Sequence, residues 1–161
     1  MYKLPNFGNS FEHENDFYLS AKPSRLGKAL AHYELFKLSL NVPGAIVECG
    51  VFKGASLSRF SILRNLFKLE HQKPIYGFDV FGAFPETDFE GDRDARKKFI
   101  DNAGSEGISV DDLYQSLKLR GLEENLCLIR GDIRQTLPTF VEENQDLEIS
   151  FLNIDTDLYE P

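Results

Sequence analysis

Four short apolar runs recur along this 161-residue chain, and each one leads to a carboxylate. Ala45-Ile46-Val47-Glu48-Cys49 carries Glu48 into a glycine-bearing turn, and Ile75-Tyr76-Gly77-Phe78-Asp79 ends on Asp79. Leu126-Cys127-Leu128-Ile129 is followed by Gly131-Asp132, and Ile149 to Ile154 runs into Asp155. Runs this short, bounded by turn residues, read as buried strands. Stretches of helical periodicity separate them. Strand and helix in alternation predict an α/β fold with a Rossmann-like, doubly wound parallel sheet. In such a sheet the ligand lies beyond the carboxyl ends of the strands, where the strand order reverses. One acid at a strand end is a common turn residue or helix cap. Acids at all four ends are expected to converge on one crevice.

The intervening segments complete the layout. Met1 to Pro23 is aromatic but aperiodic and reads as an extended arm with room for one short turn; residues 24–161 read as a single domain. Ser24 is a candidate cap for a helix beginning at Arg25, because Leu26, Leu30, Tyr33, Phe36 and Leu40 recur at helical spacing. Further helices are expected from Ala55 to about Leu69, from Asp92 to Asn102 and from Ser109 to Leu119, the last with a capping arrangement of Ser109 and Asp112. A short helix over Leu137 to Glu143, opened by Pro138, precedes the fourth strand. Phe81 to Gly91 is a Gly/Pro/acid loop, and Asp88, Glu90 and Asp92 read as solvated. The stretch from Phe81 to Arg120 is long for a strand-to-strand crossover and suits a segment that covers substrate.

Charge and composition narrow the partners. A net charge of −8 argues against nucleic acid, which needs Lys and Arg concentrated on one face. The one basic cluster, Arg93, Arg96, Lys97 and Lys98, lies among acids and reads as a solvated helix face. No run approaches the ~20 apolar residues of a membrane span, and Met1 to Ser20 has no signal-peptide pattern, so a cytoplasmic protein is expected. Cys49 and Cys127 sit in apolar runs and read as small buried residues. His13, His32 and His71 have no metal-like spacing.

The turn from Glu48 to Gly54 carries the first chemical signal. Gly50 allows a ligand close to the backbone, and Gly54 turns the chain into a helix whose free N–H groups suit a carboxylate. Glu48 stands where a dinucleotide fingerprint has its first glycine, so a phosphate cradle is disfavoured and an ammonium group favoured. Asp79 suits a ribose diol and Asp132 an adenine amino group. Ammonium, ribose and adenine together describe S-adenosylmethionine.

The motifs sharpen this reading. Val42-Pro43-Gly44-Ala45-Ile46-Val47-Glu48-Cys49-Gly50-Val51-Phe52-Lys53-Gly54 resembles the first motif of the macrocin O-methyltransferase (TylF-like) family. Tyr76 to Pro85 resembles its second motif, and Leu128 to Asp132 with Thr136-Leu137-Pro138 its third. Phe151 to Tyr159 resembles its metal-binding motif. The resemblance runs from about Arg25 to the last residue. It implies a class I methyltransferase sheet and an S-adenosylmethionine-dependent, Mg²⁺-assisted O-methyltransferase acting on sugar hydroxyls of glycans or glycosylated small molecules. It implies that Glu48, Gly50, Lys53, Gly54, Ser56, Asp79, Phe81, Gly131 and Asp132 bind the cofactor. Asp155 would bind Mg²⁺ and serve as general base, and Asp157 and Tyr159 would meet the acceptor.

The sequence also departs from the family pattern. Val80 stands where the family usually has Ser, and Gly82 where it has an acid. No adjacent aspartate pair follows Asp157 to complete the metal site, which is expected to be incomplete. The domain therefore reads as truncated after strand four, leaving that strand as an open edge that invites pairing with a second copy. Two other readings remain: a fragment that binds S-adenosylmethionine without turnover, and a Rossmann-like nucleotide-binding protein.

Overall fold

The computed structural model describes residues 3–159. Four strands, β1 (Ala45–Cys49), β2 (Ile75–Asp79), β3 (Leu126–Arg130) and β4 (Ile149–Ile154), form one parallel sheet in the order β3-β2-β1-β4. The order reverses at β1, between β2 and β4, so a crevice opens above the β1 end. Helices are α1 (Ser10–Ser20), α2 (Pro23–Leu38), α3 (Ala55–Leu66), α4 (Glu90–Ala103), α5 (Val110–Lys118) and α6 (Ile133–Glu143).

Alternation along β1 assigns its residues to the two faces of the sheet. Ile46 packs with Phe36 of α2, Leu57 and Phe60 of α3 and Leu113 and Leu117 of α5. Ala45, Val47 and Cys49 face the other way with Phe78, where Ile133, Leu137 and Phe140 of α6 cover them. All five β1 residues are buried, which explains why this strand reads as an uninterrupted apolar run apart from Glu48. At the open edge of β4, Leu152 and Ile154 are exposed.

Several local expectations need correction. The N-terminal stretch is not extended: a 3-10 turn at Phe7–Asn9 leads into α1, within the described part of that segment, while Met1 and Tyr2 lie outside the described residues. Helix α2 starts one residue before Ser24, with Lys22 at the cap and Pro23 at the first position, where proline's missing N–H costs nothing. Helix α6 starts at Ile133, not at Leu137. Asp132 caps it, and Pro138 sits inside it. Asp92 is not solvated; it is 5 % exposed in the first turn of α4. Cys127 is exposed, because β3 is an edge strand, whereas Cys49 is buried. Ser109 does cap α5, accepting from the Asp112 amide at 3.1 Å. No helix among the described residues is long and apolar enough to cross a membrane.

Candidate functional site

The carboxyl ends of the strands open onto a cavity whose mouth is continuous with solvent. Gly50, Asp79, Gly131, Asp132, Asp155 and Asp157 all line it. Phe78 forms part of its floor, and Phe52 and Phe84 form an aromatic wall. Phe84 stacks on Phe99 of α4 at 4.6 Å, with Phe52 edge-on to both rings. The segment after β2 closes one side with Phe84, Pro85, Glu86 and Thr87. It is pinned by hydrogen bonds from Phe84 N to the Ser105 carbonyl and from Gly107 N to the Gly82 carbonyl.

The turn after β1 is held by the acid at the end of β2. Asp79 Oδ2 accepts from Val51 N at 2.8 Å and Phe52 N at 2.9 Å, and Oδ1 accepts from Phe81 N at 2.8 Å. A carboxylate accepting three backbone amides fixes both turns it touches, since charge-assisted bonds are about twice as strong as neutral ones. Gly50 is required here by packing rather than by ligand approach. Its φ is +88°, and a Cβ would lie 2.3 Å from the Asp155 carbonyl oxygen. Gly54, also left-handed, begins α3 against Leu113.

Asp132 and Asp155 carry partners that the sequence reading did not foresee. Asp132 accepts from Arg134 N at 2.9 Å and meets the Arg134 guanidinium at 2.7 Å. Arg134 holds the Asp132 carboxyl below the usual carboxylate range. Asp155 Oδ2 pairs with Lys28 of α2 at 2.6 Å. Asp157 sits at φ +63°, and burial, then the charge of Asp155, pushes its carboxyl up. Tyr159 is 83 % exposed; its ring lies against Phe89, and its amide donates to Asp92.

Five expected cofactor ligands, Glu48, Lys53, Gly54, Ser56 and Phe81, lie off the cavity wall. Glu48 does not line the cavity. It is fully buried on the α2/α3 side of the sheet, accepting from Asn153 Nδ2 at 3.0 Å, and its Oε2 has no hydrogen-bond partner. Burial, opposed by the nearby Ser56 hydroxyl and by Asn153, raises its carboxyl from 4.5 to about 7. Ser56 itself is buried in the first turn of α3, off the cavity wall. Phe81 points into the core, 2 % exposed, because its left-handed backbone turns the side chain away from the crevice. Lys53 reaches across to the Ala103 carbonyl at the end of α4 and lies over the Phe52 ring. His32, which carried no expectation, meets Arg59 at 2.9 Å and stacks on Phe60.

Five carboxylates, with Glu86 the fifth, face one arginine on the cavity wall. That lining suits hydroxyls and cations, which fits a sulfonium-bearing nucleoside such as S-adenosylmethionine. Magnesium does not fit the residues present. No group of three or more His, Cys, Asp or Glu side chains among the described residues is arranged to hold a metal, and Lys28 pairs with one oxygen of Asp155, Oδ2.

Comparison with known proteins agrees with this architecture. The family model of macrocin O-methyltransferase (TylF) matches residues 33–161. The crystal structure of CalS11, a calicheamicin methyltransferase, is 26% identical, with a TM-score of 0.65 over 97% of this chain and 63% of that one. The apo structure of CalS11, described as a TDP-rhamnose 3'-O-methyltransferase, is 26% identical, with a TM-score of 0.60 over 97% of this chain and 62% of that one. The O-methyltransferase NovP, 21% identical, shares the fold with a TM-score of 0.63 over 81% of this chain and 55% of that one. No curated protein sequence matches the chain significantly. The chain spans less than two thirds of the length of each of these solved structures. With the family model covering most of the sequence, this chain belongs to the macrocin O-methyltransferase (TylF) family.

Proposed function

We propose that this chain binds S-adenosylmethionine in the strand-end cavity and belongs to an enzyme that methylates a hydroxyl of a sugar on a small molecule or glycan. The observation that carries the proposal is the acid-lined crevice itself: Asp79, Asp132, Asp155 and Asp157 around one hollow with a single arginine. Bound there, the cofactor supplies an electrophilic methyl group. Asp79 and Asp132, at the ends of β2 and β3, stand where the ribose and adenine would be recognised. The Phe52 and Phe84 wall gives the nucleoside an apolar flank. Asp155 and Asp157 define the other end, where an acceptor hydroxyl would enter. A sugar hydroxyl is a weak nucleophile at neutral pH, and Asp155 takes its proton as the oxygen is alkylated, a role typically worth ~10²–10⁴-fold in rate. Positioning of the hydroxyl by the 155–159 segment contributes alongside it.

Calorimetric titration with S-adenosylhomocysteine and NAD, and transfer of labelled methyl from S-adenosylmethionine to TDP-rhamnose and related nucleotide sugars, test the reading. Saturable S-adenosylhomocysteine binding is expected. Asp155→Asn is expected to keep that binding and lose methyl transfer by about 10²-fold or more. Preferential NAD binding, or no S-adenosylhomocysteine binding, refutes the proposal. Binding without transfer to any sugar leaves a cofactor-binding unit and removes the catalytic part.

A further inference from the structure

The segment that carries Asp155 and Asp157 is anchored at both ends by groups outside it. At its start, Asp155 N donates to the Cys49 carbonyl at 2.8 Å. At its far end, Tyr159 N donates to both carboxylate oxygens of Asp92, at 3.1 and 3.0 Å. Between the anchors the Thr156 hydroxyl donates to the Leu158 carbonyl, Leu158 is buried, and Asp157 adopts φ +63°. A non-glycine residue in that region costs of order 1 kcal/mol and persists only where its surroundings impose it. The start anchor lies before Asp157; after it the buried Leu158 and the Tyr159–Phe89 ring contact pack the chain, and Asp92 holds its backbone by hydrogen bonds from another element. Asp92 has an unusual position for such a role, almost fully buried in the first turn of α4 and far away in sequence.

We infer that Asp92 is a positioning residue for the acceptor end of the cavity, holding the 155–159 segment so that Asp155 and Asp157 face the hollow. The inference rests on the proposed reading of that end. Because α4 also carries Phe99, which backs the Phe84 wall, the same helix sets the aromatic flank and the acidic end of the cavity. Asp92 touches no ligand in this scheme and acts through the backbone of Tyr159.

The test compares wild type, Asp92→Ala and Asp92→Asn by amide exchange in NMR and by calorimetric affinities for S-adenosylmethionine and S-adenosylhomocysteine. The two ligands differ by the sulfonium charge, which the Asp155 and Asp157 carboxylates feel and a purely structural defect does not. Asp92→Ala is expected to speed exchange of the Tyr159 amide about tenfold while leaving Val47 and Phe78 unchanged. It is also expected to move the ratio of the two affinities by about threefold. Asp92→Asn keeps an acceptor oxygen and should restore both. Tyr159→Pro removes the donor with Asp92 intact and should shift the ratio as Asp92→Ala does, which keeps the test open if the alanine variant does not fold. Unchanged Tyr159 exchange, an unchanged affinity ratio in the alanine and proline variants, or failure of asparagine to restore it overturns the inference. Wild-type protein that binds neither ligand instead overturns the functional reading on which it rests.

Discussion

Glu48→Gln isolates the electrostatic cost of the one acid buried under the crevice. Desolvation, the largest influence on Glu48, holds its carboxyl at about 7 against an ordinary 4.5, with the Asp155 charge adding to the rise. The folded protein therefore binds this proton more tightly than the unfolded chain does. Below 4.5 both states are protonated and the site carries no penalty. Between 4.5 and 7 the unfolded chain ionises while the folded one does not, so stability falls as pH rises. Above 7 the loss is complete, at about 3 kcal/mol. Glutamine keeps an oxygen for Asn153 Nδ2 and cannot ionise. The variant is expected to match wild type near pH 4 and to exceed it by about 2–3 kcal/mol near pH 8, the two profiles separating across the window between. Urea denaturation at a series of pH values measures this, with the slope on denaturant checked for constancy. Other titrating groups are common to both proteins and cancel in the difference. A variant no more stable than wild type near pH 8, or two parallel profiles, would refute the argument that burial of an ionisable Glu48 destabilises the fold.

Gly50→Ala places a methyl group 2.3 Å from the Asp155 carbonyl oxygen at φ +88°, and should cost about 3 kcal/mol or more, seen as a lowered melting midpoint in circular dichroism. Asp79→Ala strips the acceptor from three amides; a loss of at least about 3 kcal/mol is expected, with faster exchange at Val51, Phe52 and Phe81 read by NMR. Lys28→Met removes a pair whose side chains are 44 % and 34 % exposed, so its effect on stability should stay within about 1 kcal/mol by chemical denaturation; a larger loss would show that the Asp155 pair is a structural element.

The four strands were legible because each is a short apolar run closed by turn residues, and their acids were legible because strand ends are where side chains leave the core. Asp79, Asp132, Asp155 and Asp157 accordingly share one cavity. What the pattern could not convey was direction. Glu48 alternates onto the helix-covered face of β1 along with Ile46, so period two placed it under the sheet surface rather than at the crevice. Phe81 and Lys53 were drawn away by partners on distant elements, the core and the end of α4. Asp92 reads as solvated because its neighbours in sequence are polar, and it accepts from a backbone amide that no side-chain pattern encodes. Helix α1 escaped notice for a different reason: it has no buried residue among those described, so it presents no apolar stripe to read. Cys127 required the strand order, and order is a property of pairing rather than of any one strand.

The contact between Gly50 and Asp155 joins the earliest strand turn to the latest, since the Asp155 amide also donates to Cys49. During synthesis, β1, β2 and β3 leave the ribosome before β4 exists, and until β4 arrives one flank of β1 lies bare with its buried carboxylate uncovered. The strand-end hollow is thus assembled by the most non-local strand pairing among the described residues, the kind that closes slowly because a long loop must be ordered first. An emerging chain has a sheet before it has a site.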